Sequence, residues 1–181
     1  MKRRAFITLL GGAMAPWPLA ARAQQPIRQV AVLVPTRDAD PEYQRRLKSL
    51  REALQNLGWT EGHNIRIDVR WAGDSREQIQ QIASSLVSLA PDLIIGSGSV
   101  ATAAIKRATS TIPLLFLVVN EPVAQGFVAS LARPGGNMTG FTNIDFSVVG
   151  KMVELLKDVV PTINRVGLMF NSDTYPIYNN Y

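Results

Sequence analysis

Cysteine is absent from the 181-residue chain, and histidine occurs once, at His63. Without cysteine there is no disulfide framework and no thiol nucleophile, and a Cys- or His-rich metal site is excluded. A Ser-His-Asp triad would have to use His63. That residue lies in the turn-like stretch Glu61-Gly62-His63-Asn64 with no serine beside it, so an exposed turn histidine is the better reading. The chain lacks a P-loop, a G-x-G-x-x-G turn and a G-x-S-x-G nucleophile elbow. It also lacks an apolar run near the roughly 20 residues of a membrane-spanning helix. These absences leave no catalytic residue, metal or cofactor to assign.

What the chain has begins at its first residues. Lys2-Arg3-Arg4-Ala5-Phe6-Ile7 precedes the apolar run Thr8 to Ala15, and the segment closes on Ala21-Arg22-Ala23. A basic start, an apolar middle and an A-x-A site make an export signal over residues 1–23, cleaved after Ala23. The paired arginines before Phe6 and Ile7 give it a twin-arginine character, with Lys2 departing from that motif. The whole chain carries 19 basic and 14 acidic residues; cleavage removes Lys2, Arg3, Arg4 and Arg22, leaving 15 and 14, a net charge of +1. The mature part has no basic stripe, and nucleic acid is a poor partner for it. With no Cys at the cleavage site, lipid anchoring is not expected.

The rest of the chain alternates two patterns. Arg28 to Val34 is a short β-branched run that reads as a buried parallel strand. Pro41 to Leu57 reads as a helix with Leu47, Leu50, Leu54 and Leu57 on one face and Gly58 as its terminator. Ile65 to Trp71 alternates as a half-exposed strand does. Ser75 can cap a helix whose apolar face carries Ile79, Ile82, Leu86 and Leu89. Asp92 to Gly96, Leu114 to Val119, Met138 to Asn143 and Arg165 to Phe170 read as further strands. Helices are expected from the Ser97-Gly98-Ser99 turn to about Thr109, from Val123 to Ala132, and from Ser147 to Val160. In the last of these Val148, Met152, Leu155, Leu156 and Val159 form the apolar side. Strand-helix alternation of this kind predicts an α/β fold with a doubly wound parallel sheet.

Ligands of such sheets bind beyond the carboxyl ends of the strands. That rule nominates Thr36 after the first strand, Ser97, Gly98 and Ser99 after the third, Asn120 and Glu121 after the fourth, then Thr142 and Asn171. The Gly96-Ser97-Gly98-Ser99 turn offers backbone N–H groups, hydroxyls and the positive end of a helix dipole, which suit a carboxylate or phosphate. Gly96 and Gly98 would leave room for a ligand. On spacing alone, a serine that merely caps its own helix explains the turn equally well. Glu121 could grip a ligand ammonium, act as an acid, or be a solvated loop charge. Asp38, Asp40 and Glu42 precede a helix, where acids are favourable without any function. Trp59 and Trp71 are expected to pack against helices and Phe170 to join the core.

Several stretches together resemble the ABC transporter substrate-binding proteins, in the periplasmic-binding group whose better-known members take aromatic amino acids. They are Leu57-Gly58-Trp59-Thr60-Glu61-Gly62 with Ile65-Arg66-Ile67; Leu89-Ala90-Pro91-Asp92 with Gly96-Ser97-Gly98; Thr111-Ile112-Pro113; Glu121-Pro122-Val123; Gly126-Phe127-Val128; and the long run Ser130 to Thr142, Ser-Leu-Ala-Arg-Pro-Gly-Gly-Asn-Met-Thr-Gly-Phe-Thr. Asn120-Glu121-Pro122 departs from the Ser-Asp-Pro of many relatives. The resemblance implies two α/β lobes closing on a small ligand in the periplasm. The ligand then passes to an ABC permease in the inner membrane, and the binding protein works as a monomer. Residues 24–143 would form the N-terminal lobe, with 144–181 the beginning of a second, truncated lobe. Members of the group are nearly twice as long, so a fragment is expected, with the apolar side of its last helix uncovered. Ser97, Ser99 and their amides would hold a ligand carboxylate, Asn120 or Glu121 its amine, and Thr36, Thr142 and Asn171 the remainder. Two other classes fit the sheet. An exported hydrolase-like enzyme would need a nucleophile or base that is missing. The sensor lobe of a repressor-type regulator would need a DNA-binding helix-turn-helix where the export signal stands.

Overall fold

The computed structural model of the chain describes residues 26–38, 40–73, 75–143, 147–167 and 169. Residues 1–23, where an export signal is expected, and Phe170 and Asn171 lie outside the described residues.

Five strands, β1 (Arg28–Val34), β2 (Ile65–Trp71), β3 (Leu93–Ser97), β4 (Leu114–Val119) and β5 (Met138–Thr142), form one sheet in the order β2-β1-β3-β4-β5. Every pairing is parallel. Val30 to Val34 are all buried, because the central strand is covered on both faces. On one face lies α1 (Pro41–Asn56), on the other α2 (Arg76–Ser88) and α3 (Gly98–Ala108). Strand parity divides the core accordingly. Val30, Val32 and Val34 meet Leu47 of α1 together with Ile65, Ile67 and Ile95. Ala31 and Leu33 meet Ile79, Ala83 and Leu86 of α2, and Ala101, Ala104 and Ile105 of α3. This is the expected doubly wound α/β sheet.

Local chemistry sets the helix ends. The Asp40 carboxylate accepts the N–H groups of Glu42 at 2.9 Å and Tyr43 at 3.3 Å, which makes this acid a helix cap. Glu42, bonded by Arg45 and Arg46, has its carboxyl held below the usual range. At the other end of α1, Gly58 takes φ +87. Its N–H reaches Gln55 O at 3.0 Å, and the Trp59 N–H reaches Leu54 O at 2.9 Å, the paired bonds of a Schellman ending. Trp71 packs half-buried on the α1 side, as expected of it.

Three expectations are corrected. Leu57 and Leu89, placed on core faces by spacing, are 76% and 54% exposed, because each falls at a helix C-cap where the periodic face ends. Residues Val123 to Ala132 form a chain of turns, not a helix. Glu121 at φ +47 and Gly126 at φ +68 bend the backbone out of the helical region on either side of Pro122. The described residues of the expected Arg165–Phe170 strand carry no strand pairing, and no described strand lies beside them. The last helix, α4 (Ser147–Val159), forms, and its apolar side is turned to solvent as expected: Met152, Leu155, Leu156 and Val159 are all exposed.

Candidate ligand-binding site

Parallel pairing brings all five strand carboxyl ends to one edge of the sheet. The chain runs outward from β1 to β2 in one direction and from β3 to β4 and β5 in the other, so the crevice between β1 and β3 is the topological switch point. Thr36 follows β1 and Ser97-Gly98-Ser99 ends β3, so these residues flank that crevice. Gly98 and Pro35 adjoin, since a Cβ on Gly98 would lie 3.8 Å from Pro35 Cγ. Asn120, Glu121 and Thr142 stand one and two strands further along the same edge, roughly 5 and 10 Å away at the usual strand spacing.

The β3–α3 turn has the features of an anion seat. Ser97 occupies the N-cap position of α3 with φ −95 and ψ 119, yet its side chain makes no capping bond. By contrast Ser75 accepts the Gln78 N–H and Asp40 caps α1. No acidic residue occupies the first turn of α3. The amides at that end are therefore left without side-chain partners in a region of positive potential. Ser97 and Ser99 are buried while Gly98 is half-buried, so the backbone at Gly98 is the more accessible part of the turn.

The two glycines have different roles, and one expectation changes. A Cβ on Gly96 would come within 3.0 Å of Ile105 Cδ1 and Thr102 Oγ1, so the missing side chain lets α3 lie close on β3 and does not clear space for a ligand. Gly98 has φ +78, which favours glycine whatever the surrounding space. Fully buried Thr102 ties the turn down by donating to Gly98 O at 2.8 Å.

The fourth strand end is shaped by a bulge. Register shifts between Phe116 and Val119, and Val118 takes φ +56, a rare conformation for a β-branched residue. Side-chain alternation is thereby reversed. Leu117 and Val118 both line the α1 face, while Val119 enters the core on the α3 face. The chain then turns sharply through Asn120 and left-handed Glu121. Thr142 pairs with Val119, and Asn143 N–H reaches Val119 O at 3.0 Å, which brings the end of β5 alongside. Thr36 is half-buried, its hydroxyl on Arg37 O at 3.2 Å.

One contributor has no signature in the sequence. Gln125, within the expected helix, donates through Nε2 to Ser99 Oγ at 2.9 Å and to the Asn120 carbonyl. It ties the β4–β5 loop to the start of α3. Lys106 of α3 bonds Gly126 O and stands 5.8 Å over the Phe127 ring, which fastens the same loop further on. Under Ser97 a cavity of about 70 Å³ is walled by Val34, Leu47, Leu117 and Val118. It is smaller than the roughly 300–1,000 Å³ of a ligand pocket and does not itself hold a ligand of that kind.

Residues 29–176 match the family described as ABC transporter substrate binding protein. The chain is 34% identical over 132 residues to a tyrosine-binding protein of Clostridioides difficile (strain R20291), an alignment covering 73% of this chain and 38% of that protein. A conserved domain protein of Vibrio cholerae O1 biovar El Tor N16961 has a similar structure, with a TM-score of 0.73 and 29% identity over 85% of this chain and 51% of the other. An ABC domain from Streptococcus pneumoniae, solved in complex with L-Trp, shares the fold at a TM-score of 0.71 and 22% identity, over 84% of this chain and 50% of that one. The fold is thus that of substrate-binding domains, and the chain belongs to the ABC transporter substrate-binding protein family. It spans 38% of the tyrosine-binding relative and about half of each solved structure. No helix among the described residues is long and apolar enough to cross a membrane.

Proposed function

We propose that the protein is an extracytoplasmic solute-binding component of an ABC importer, taking an amino acid or a related small carboxylate. Membership of the family and the tyrosine-binding relative support the ligand class. The observation that carries the site is the uncapped, acid-free start of α3 at the sheet's switch point. The ligand carboxylate sits on the Ser97-Gly98-Ser99 turn, where N–H groups and the helix dipole favour an anion. Its amine lies toward Asn120 and Glu121, and Thr36, Thr142 and Asn171 complete the lining. Residues 24–143 act as one lobe, 144–181 begin a second, and the ligand occupies the cleft between lobes. Residues 1–23 direct export to the periplasm, where the monomeric protein presents its ligand to a permease. The binding protein itself performs no chemical step, and the conformational equilibrium shifted by the ligand is what the permease reads.

Thermal melting of the protein against the amino acids tests this. Tyrosine, phenylalanine or tryptophan at 100 times its dissociation constant adds about 2.7 kcal/mol of stability. Ser97→Ala combined with Ser99→Ala removes most of that shift. No shift with any amino acid or small carboxylate at millimolar concentration refutes the assignment.

A further inference from the structure

We infer that Gln125 is a positioning residue that fixes the Ser99 hydroxyl as a proton donor toward the ligand, so that the group bound there is an acceptor, a carboxylate and not an ammonium. This rests on the reading that Ser99 faces the ligand.

The argument begins with the Asn120 carbonyl, which can only accept. The Gln125 atom facing it must therefore be the amide nitrogen, and this settles which way the side-chain amide points. The same nitrogen lies 2.9 Å from Ser99 Oγ. Its two hydrogens are now both committed, one to Asn120 and one to Ser99. An amide nitrogen has no lone pair to offer in return. The Ser99 hydroxyl must accept from Gln125, and its own hydrogen is turned elsewhere. Ser99 is only 4% exposed and lies in the first turn of α3. The donor thus adds to the helix's own N–H groups, in a field that favours an anion. An ammonium there would meet only the remaining lone pair, against the repulsion of the dipole.

Gln125 is held firmly enough for this. Its backbone N–H reaches Glu121 O at 2.9 Å, the Phe127 N–H reaches Pro122 O at 2.8 Å, and Phe127 and Val128 are buried. The side chain does not have to be ordered when ligand arrives.

The test is a double-mutant cycle on the whole protein, titrated calorimetrically with L-tyrosine and L-tryptophan. Ser99→Ala and Gln125→Met each weaken binding by about tenfold or more, the range of a hydrogen bond to a charged group. The double variant loses no more than the greater single loss, since without the hydroxyl there is nothing left to orient. A Gln125→Met loss that persists undiminished in the Ser99→Ala background would mean loop loosening and overturns the proposal. So does Gln125→Met binding like the parent. Ser99→Ala binding like the parent instead refutes the placement of Ser99 in the site. A parent that binds neither amino acid refutes the functional reading and this inference with it. A ligand-free check covers a variant that fails to fold. The Gln125 side-chain amide resonances shift on Ser99→Ala if the bond exists; unmoved resonances overturn the inference.

Discussion

Three glycines, Gly140 in β5, Gly96 in β3 and Gly98 just after it, stand under different constraints, and alanine separates them. At Gly140 a methyl group would overlap the Phe116 carbonyl oxygen and ring across the β4–β5 pairing. At Gly96 it would press on Thr102 Cα at 3.2 Å as well as on two side chains. At Gly98 there is space, and only the positive φ resists. The expected order of destabilisation is Gly140→Ala, then Gly96→Ala at about 1–3 kcal/mol from overpacking, then Gly98→Ala at about 1 kcal/mol from the backbone alone. Urea midpoints of the three variants check it, and a Gly98 variant less stable than the Gly96 one would show that the packing account is wrong. Gly140 belongs to the long run from Ser130 to Thr142 that ties the chain to its family. Much of that run serves structure. Ser130 bonds Arg133, Gly135 and Gly136 both take φ +69, and Asn137 bonds Ile112 O. A distinctive motif here marks a turn and a strand entry more than a ligand contact.

Among the elements, β1 and β3 are joined at their starts by one carboxylate. Asp92 accepts the Gln29 N–H at 2.8 Å and pairs with Arg28 at 2.7 Å. The backbone N–H of Gln29, then Arg28, hold its carboxyl below the usual range. A carboxyl lowered by folding stabilises the fold at pH above its unfolded value and loses that contribution as pH falls through the folded one. Stability is therefore expected to decline on acidification below about pH 4, the ordinary aspartate range. Asp92→Asn should flatten that decline, seen in urea unfolding at stepped pH; an unchanged pH profile would remove the clamp's role. Periodicity made most elements legible, because buried parallel strands and one-sided helices write their periods directly. It failed at Val123 to Ala132. Apolar spacing there imitates a helix, while the left-handed Glu121 and Gly126 decide the backbone path. In β4 every residue is apolar, so the reversal at Val118 leaves no trace in the pattern.

For the whole molecule, the sheet ending at Thr142 has covered cores on both faces, whereas α4 shows an apolar side to solvent. Leu155 and Val159 are 60% and 79% exposed. Contiguous exposed apolar surface of this kind promotes association. Leu155→Lys with Val159→Lys should lower light scattering at high concentration while changing stability by no more than about 0.5 kcal/mol, since neither residue is buried. A large fall in melting temperature would show that α4 is packed in solution.

The sequence by itself determined the fold class, the order of nine elements and the family, and it nominated one edge of the sheet for a ligand. Fold class and element order follow from periodicities of two and 3.6 and from caps and turn residues close together in the chain, the family from matched stretches such as Ser130 to Thr142, and the edge from the rule that parallel strands end together. It left Ser97 and Ser99 balanced between cap and ligand contact. Tertiary structure decided what depends on residues distant in sequence: that the start of α3 lacks a side-chain cap, that Gly96 serves helix packing, and that Val118 reverses β4. It also decided that Gln125, 26 residues beyond Ser99, donates to the Ser99 hydroxyl oxygen. A hydrogen bond closed through a loop depends on the path of the backbone in space, and no local pattern encodes it.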